Sequence, residues 1–283
     1  MTDSPHGPPF QPVGSGASLP QDGTTAPGAH AAVVIQALVK RFGPKVAVAG
    51  DSLTIPRGSF YGIVGPNGAG KTTLMRMATG LLRPDGGRVA VDGVDVWTDP
   101  VDAKRRMGIL PDERRMFERL TGRELLLYNG LLRNMDEGLV KKRSEDLLAV
   151  LELDRDGDNL VVDYSSGMHK KIALAAALLH DPRVLFLDEP LESVDPVSAR
   201  TIRHVLSRLV ERGATVVLSS HVMETVERLC DHVAIMASGR IVTAGPMPEV
   251  RQGKALEDRF VELVGAGSAD EEGRLGWLGD SSA

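Results

Sequence analysis

The chain has 283 residues, of which 42% are apolar, 25% charged and 4% aromatic, with a formal net charge of −5. That length holds one large α/β domain or two modest ones, and the aliphatic bias supplies a Val, Leu, Ile and Ala core, which excludes a wholly disordered chain. The acidic balance gives no footprint of the concentrated basic face that a nucleic-acid groove needs for counterion release, so no nucleic-acid partner is expected.

Residues 1–31 are dominated by Pro, Gly, Ser, Ala and Gln without apolar periodicity and are expected to form a disordered tail. No Lys or Arg precedes Lys40, so a secretory leader is not expected here. From residue 32 to 264, strand-like apolar runs alternate with amphipathic helical segments, the pattern of a mostly parallel sheet covered by helices. The clearest strands are SFYGIVG at 59–65, RVLFLD at 183–188, ATVVLSS at 214–220 and HVAIMAS at 232–238. Between the first two, a lobe of about 112–180 reads as helical, with helices predicted over 120–135, 137–153 and 166–179. Leu256, Phe260 and Leu263 lie at helical spacing within 255–264 and predict a last helix, after which 265–283 reads as a loose acidic tail with one Trp277. The longest apolar run, IALAAALL at 172–179, falls short of the roughly 18–20 residues that cross a bilayer.

A single cysteine, Cys230, cannot form an intrachain disulfide, and no Cys/His spacing resembles a zinc site, which fits a reducing cytoplasm. His6, His30, His169, His180, His204 and His232 form no ligand cluster and are expected on the surface or in the tails.

The most specific signal is GPNGAGKTT at 65–73, which matches G-x-x-x-x-G-K-[ST] between a strand-like run and a helix-like run from Thr72. Gly65, Gly68 and Gly70 let the backbone of Gly65, Pro66, Asn67, Gly68, Ala69, Gly70 and Thr73 curl until its N–H groups face a phosphate, and the helix start adds partial positive charge. Lys71 would reach the β- and γ-phosphates of ATP, and the Thr72 hydroxyl would coordinate Mg²⁺. The second signal is VLFLDEP at 184–190, an apolar strand ending in two carboxylates, where ligands of open α/β sheets gather. Asp188 is expected to hold Mg²⁺ through water, and Glu189 to act as general base, accepting a proton from the attacking water or orienting it.

The wide separation of these motifs, the helical lobe between them and YSSGMHKK at 164–171 resemble the ATP-binding cassette (ABC) ATPases over residues about 33–245. The resemblance implies an α/β P-loop NTPase fold with a mixed, mostly parallel sheet, an N-terminal antiparallel β subdomain and an inserted helical subdomain. It implies that Ser165, Gly167 and Met168 stand at the family's signature and complete the nucleotide site of a partner cassette, in a homodimer or heterodimer. It further implies that Phe42 of VKRFG stacks on adenine, that LESVDP at 191–196 is the D-loop with Asp195, and that His221 is the switch histidine. Asp112 in ILPDERRMF stands where the family usually has Gln, and is carried over as a metal-side residue; Ser166 and Met168 replace the commonest Gly and Gln of the signature.

The subfamily resembled most is that of multidrug, antibiotic and lipid-type exporters. It implies a separate membrane permease docking beside 112–128, with Met116, Phe117, Leu120 and Tyr128 as contacts, and a cytoplasmic ATPase held at the inner face of the membrane. The alternative, a soluble cassette ATPase acting on ribosomes or DNA, normally carries a second cassette with a charged linker or long coiled coils, and neither is present.

Overall fold

An apolar run followed by a more polar stretch, turned back at Gly43, opens the domain as a hairpin. In the computed structural model, which describes residues 31–111 and 116–265, β1 (Ala31–Phe42) pairs antiparallel with β2 (Lys45–Pro56). The strand thus begins at Ala31, one residue before the expected boundary. β1 also pairs with β4 (Gly86–Val91), and β4 with β5 (Val94–Asp95), giving the antiparallel order β2-β1-β4-β5. Asp92 and Gly93 link β4 to β5 with φ of 50° and 82°, the two positive values that a type I′ turn demands and Asp-Gly supplies.

The second sheet contains the four strands read from the sequence and two more. Its members are β3 (Phe60–Val64), β6 (Met107–Leu110), β7 (Val184–Asp188), β8 (Thr215–Ser220), β9 (His232–Ala237) and β10 (Arg240–Pro246), in the order β10-β9-β3-β8-β7-β6. All pairs are parallel except β10 with β9. Every residue of β3, β7 and β8 is buried, as a sheet covered on both faces requires.

The period of two sorts those residues into two cores. Tyr61, Ile63, Phe186 and Val217 face the antiparallel sheet together with Leu74 and Met77 of α1 (Lys71–Ala78). Phe60, Val64, Leu185, Leu187, Val216 and Leu218 face the other way, against α5 (Ser166–Leu178), α6 (Pro196–Glu211) and α7 (Met223–Leu229).

α2 (Pro100–Arg106) precedes β6, and the helical lobe follows, with α3 (Gly122–Leu132), α4 (Glu137–Val150) and α5. A capping box between Thr121 and Glu124 starts α3. α4 stops three residues earlier than predicted: Glu152 takes φ 57° and Leu153 N–H bonds back to Leu148 O at 2.8 Å, the six-to-one closure that ends helices. α8 (Met247–Arg251) and α9 (Leu256–Val264) close the domain, the latter matching the predicted last helix.

Of the histidines expected on the surface or in the tails, His204 is exposed, His169, His180 and His232 are half-buried, and His6 and His30 lie outside the described residues. His180 is half-buried where α5 meets β6, its Nε2 bonded to Met107 O at 2.9 Å, while its Nδ1 is buried without a hydrogen-bond partner. Burial, reinforced by the charge of Arg133, pushes its pKa down to about 4. His232 is half-buried with its ring stacked on Tyr61 at a centroid distance of 6.0 Å. Cys230 is buried, and burial pushes its thiol pKa up, as befits a packed small side chain.

Asp92, 5% exposed, receives guanidinium contacts from Arg57, Arg106 and Arg183 and so ties the β4–β5 turn to β2, α2 and β7. Burial opposes its ionisation, but the three guanidinium hydrogen bonds outweigh it and hold the carboxyl below the usual range. Among the described residues, no helix is long and apolar enough to cross a membrane.

Candidate phosphate-binding site

The loop 65–70 joins the buried strand β3 to α1, and its shape depends on what cannot be placed there. Gly70 has φ 106°, and a Cβ on it would lie 2.4 Å from Ala47 O, so only glycine lets the loop pass this close to β2. No side chain caps α1, which leaves its first amides presented toward the loop's concavity. Lys71 is 6% exposed and its Nζ donates to Gly65 O at 2.8 Å and to Pro66 O at 3.3 Å.

The carboxyl end of β7 lies alongside, because β8 separates β3 from β7 and all three run parallel. Asp188 Oδ1 accepts from Thr72 Oγ1 at 3.3 Å and from Ser219 Oγ at 2.5 Å. Glu189 has φ 47°, and its N–H donates to Ser219 Oγ at 3.1 Å while its carbonyl accepts from Lys170 Nζ at 2.7 Å. Its Oε1 lies 3.2 Å from His221 Nδ1 and 3.6 Å from Lys71 Nζ.

These groups converge on an open cleft of about 390 Å³ lined by Phe42, Asn67, Gly68, Ala69, Gly70, Lys71, Thr72, Thr73, Glu189 and His221. Phe42 is 50% exposed rather than buried in the core, which leaves its ring available at the cleft's edge. The chemistry suits a nucleoside triphosphate with a hard cation: main-chain amides and one ammonium for phosphate, and the paired oxygens of Thr72 and Asp188 for the metal. Among the described residues, no three His, Cys, Asp or Glu side chains gather as a metal site, so phosphate oxygens and water would complete the coordination.

Ser165, Gly167, Met168 and Asp195 do not line this cleft. Ser165 caps α5, its Oγ accepting from Met168 N–H at 3.3 Å. A Cβ on Gly167 would lie 2.6 Å from Ser198 Oγ and 2.7 Å from Asp195 Oδ2, so the starts of α5 and α6 pack directly together. Asp195 caps α6 by accepting from Val197 N–H at 3.0 Å and Ser198 N–H at 2.9 Å. Asp112 lies outside the described residues. Of the four residues read as permease contacts, Met116 and Leu120 pack partly against the helical core, whereas Phe117 and Tyr128 are exposed and meet edge to face at 5.0 Å.

The sequence reading missed Ser219, which holds the Asp188 carboxylate and the Glu189 N–H, Lys170, which holds the Glu189 carbonyl, and Lys45 and Glu192, which line the cleft. A polar Ser at the end of the apolar run ATVVLSS was the available signal for the first.

A family profile described as ABC transporter matches residues 48–192. The chain is 36% identical over 223 residues to the daunorubicin resistance ATP-binding protein DrrA3 of Streptomyces coeruleorubidus, covering 79% of this chain and 71% of that protein. It is 38% identical over 213 residues to the ABC transporter ATP-binding protein NatA of Bacillus subtilis, covering 75% and 87%. A solved structure described as an ATP-binding subunit of an ABC transporter superposes with a TM-score of 0.76 at 26% identity, over 82% of this chain and 98% of the other.

Proposed function

The chain belongs to the ABC transporter family as an ATP-binding, ATP-hydrolysing subunit, and from that membership we propose that it powers export through a separate membrane-spanning permease. Two cassettes would close head to tail with nucleotide between them. The observation that carries this reading is the division of the site: Lys71, Thr72, Glu189 and His221 share one cleft, while Ser165, Gly167 and Met168 lie outside its lining. The N-terminus of α5, capped by Ser165, is then the half-site offered to the partner's nucleotide. Export is supported by the resistance protein among the relatives. The second cassette is a copy of this chain or a paralogue.

The residues divide the work as follows. Phe42 stacks on adenine; the amides of 65–73 and the Lys71 ammonium hold the β- and γ-phosphates, Lys71 exchanging its carbonyl partners for phosphate oxygens. Thr72 and Asp188, with Asp112, hold Mg²⁺, which when bound neutralises charge on the phosphates. Glu189 takes or orients the proton of the attacking water, and His221, 3.2 Å from its Oε1, steadies that carboxylate beside the γ-phosphate. Phe117 and Tyr128 form the exposed edge offered to the permease, which would hold this subunit at the cytoplasmic face of the membrane.

Glu189→Gln provides the test. With Mg-ATP it should lose turnover and run as a dimer in size-exclusion chromatography. Wild-type hydrolysis in this variant overturns the base assignment, and an inactive variant that stays monomeric with its natural partner cassette supplied overturns head-to-tail closure.

A further inference from the structure

The backbone of Glu189 is in the left-handed region, φ 47°, which a long side chain rarely adopts unless its surroundings impose it. Two groups from distant parts of the chain impose it here. Ser219, on β8, takes the residue's N–H at 3.1 Å, and Lys170, on α5, donates its ammonium to the residue's carbonyl at 2.7 Å. The second contact is the unusual one. Lys170 is 3% exposed, so its charge-assisted bond to that carbonyl is made out of reach of water.

We propose that Lys170 is a positioning residue for ATP hydrolysis, clamping the Glu189 peptide from the α5 side so that its carboxylate stays aimed into the phosphate cleft between Lys71 and His221. The proposal rests on the reading of Glu189 as general base. With N–H and carbonyl both held, the backbone rotation that would re-aim the Glu189 side chain away from the cleft is restrained. Oε1 then stays 3.2 Å from His221 Nδ1 and 3.6 Å from Lys71 Nζ. The clamp belongs to the helix that also carries Ser165, Gly167 and Met168. One turn before Lys170, Ser166 Oγ donates to Ser193 O at 2.9 Å, which fastens α5 to the segment just after Glu189. The base is thus referenced to α5 and not only to its own strand.

Steady-state hydrolysis by the full-length chain with Lys170→Met and Lys170→Arg tests this, alongside binding of a non-hydrolysable ATP analogue. Losing a charge-assisted hydrogen bond that aims the base should lower kcat about ten- to hundredfold, with KM and analogue affinity within about twofold of wild type. Lys170→Arg, which keeps a cationic donor, should recover most of the loss. In a Glu189→Gln background, Lys170→Met should change the residual rate by less than about twofold, because there is no longer a base to aim. Wild-type kcat in Lys170→Met overturns the proposal. So does an undiminished effect of Lys170→Met in the Glu189→Gln background, or a loss shared equally by kcat and analogue binding. Should Glu189→Gln itself hydrolyse at the wild-type rate, the base reading has failed instead; should it be inactive while Lys170→Met is normal, only the clamp has failed.

Discussion

Ser219→Ala removes one hydroxyl that serves both the Asp188 carboxylate and the Glu189 backbone. Ser219 is 0% exposed, so no solvent replaces what is lost. Its Oγ donates to Asp188 Oδ1 and accepts the N–H of Glu189 at 3.1 Å. Leaving the Glu189 N–H without an acceptor costs about 1–3 kcal/mol, and removing a charge-assisted donor from Asp188 costs about 1.5–3 kcal/mol. Asp188 keeps the Thr72 hydroxyl at 3.3 Å, which places the second cost at its lower end, so the sum is about 2.5–4.5 kcal/mol. For a domain of this size that lowers Tm by about 5–18 °C. Thermal unfolding followed by circular dichroism without nucleotide measures it, with Ser52→Ala as control because Ser52 accepts one exposed amide, from Ala37. A Tm within about 2 °C of wild type would refute the reasoning, since the assigned costs could not then be present.

Two further outcomes follow from groups outside the cleft. His180 has a folded pKa depressed to about 4 by burial, so between about 6.5 and 4 the unfolded chain takes up a proton that the folded one refuses. Its contribution is complete above about 6.5 and falls away as pH drops toward 4, worth about 3 kcal/mol; urea titrations across this window should give a flatter pH dependence in His180→Gln, and parallel curves would sink the assignment. Asp92→Asn keeps the left-handed turn but removes the charge facing Arg57, Arg106 and Arg183. Because Arg57 and Arg183 reach water, the loss should be about 1–3 kcal/mol by urea unfolding at neutral pH. The depressed carboxyl makes that contribution present above the unfolded pKa near 3.9 and lost as pH falls through the folded value, so variant and wild type should converge in acid. A variant as stable as wild type at pH 7 would show the cluster contributes nothing.

The amino-acid order alone determined the 65–70 loop, because its curvature comes from closely spaced glycines at Gly65, Gly68 and Gly70 and its charge from the adjoining helix start. It determined the buried strands around 59–65, 183–188, 214–220 and 232–238 for the same reason: a run of apolar residues bounded by polar ones carries its own signature. Local pattern failed where a residue's surroundings come from elsewhere. β6 is four residues long and includes Gly108, and it is a strand only because β7 pairs with it. His180 looked like a surface residue until α5 set it against Met107. Ser219 stands beside Asp188 because β7 and β8 pair in that register, and Lys170 reaches Glu189 because α5 packs over the same sheet. The sequence therefore determined the loop and strand ends that form the cleft, and tertiary packing decided which groups hold them. Strand register and helix placement set contacts across 19 and 30 residues, and no short-range periodicity encodes either.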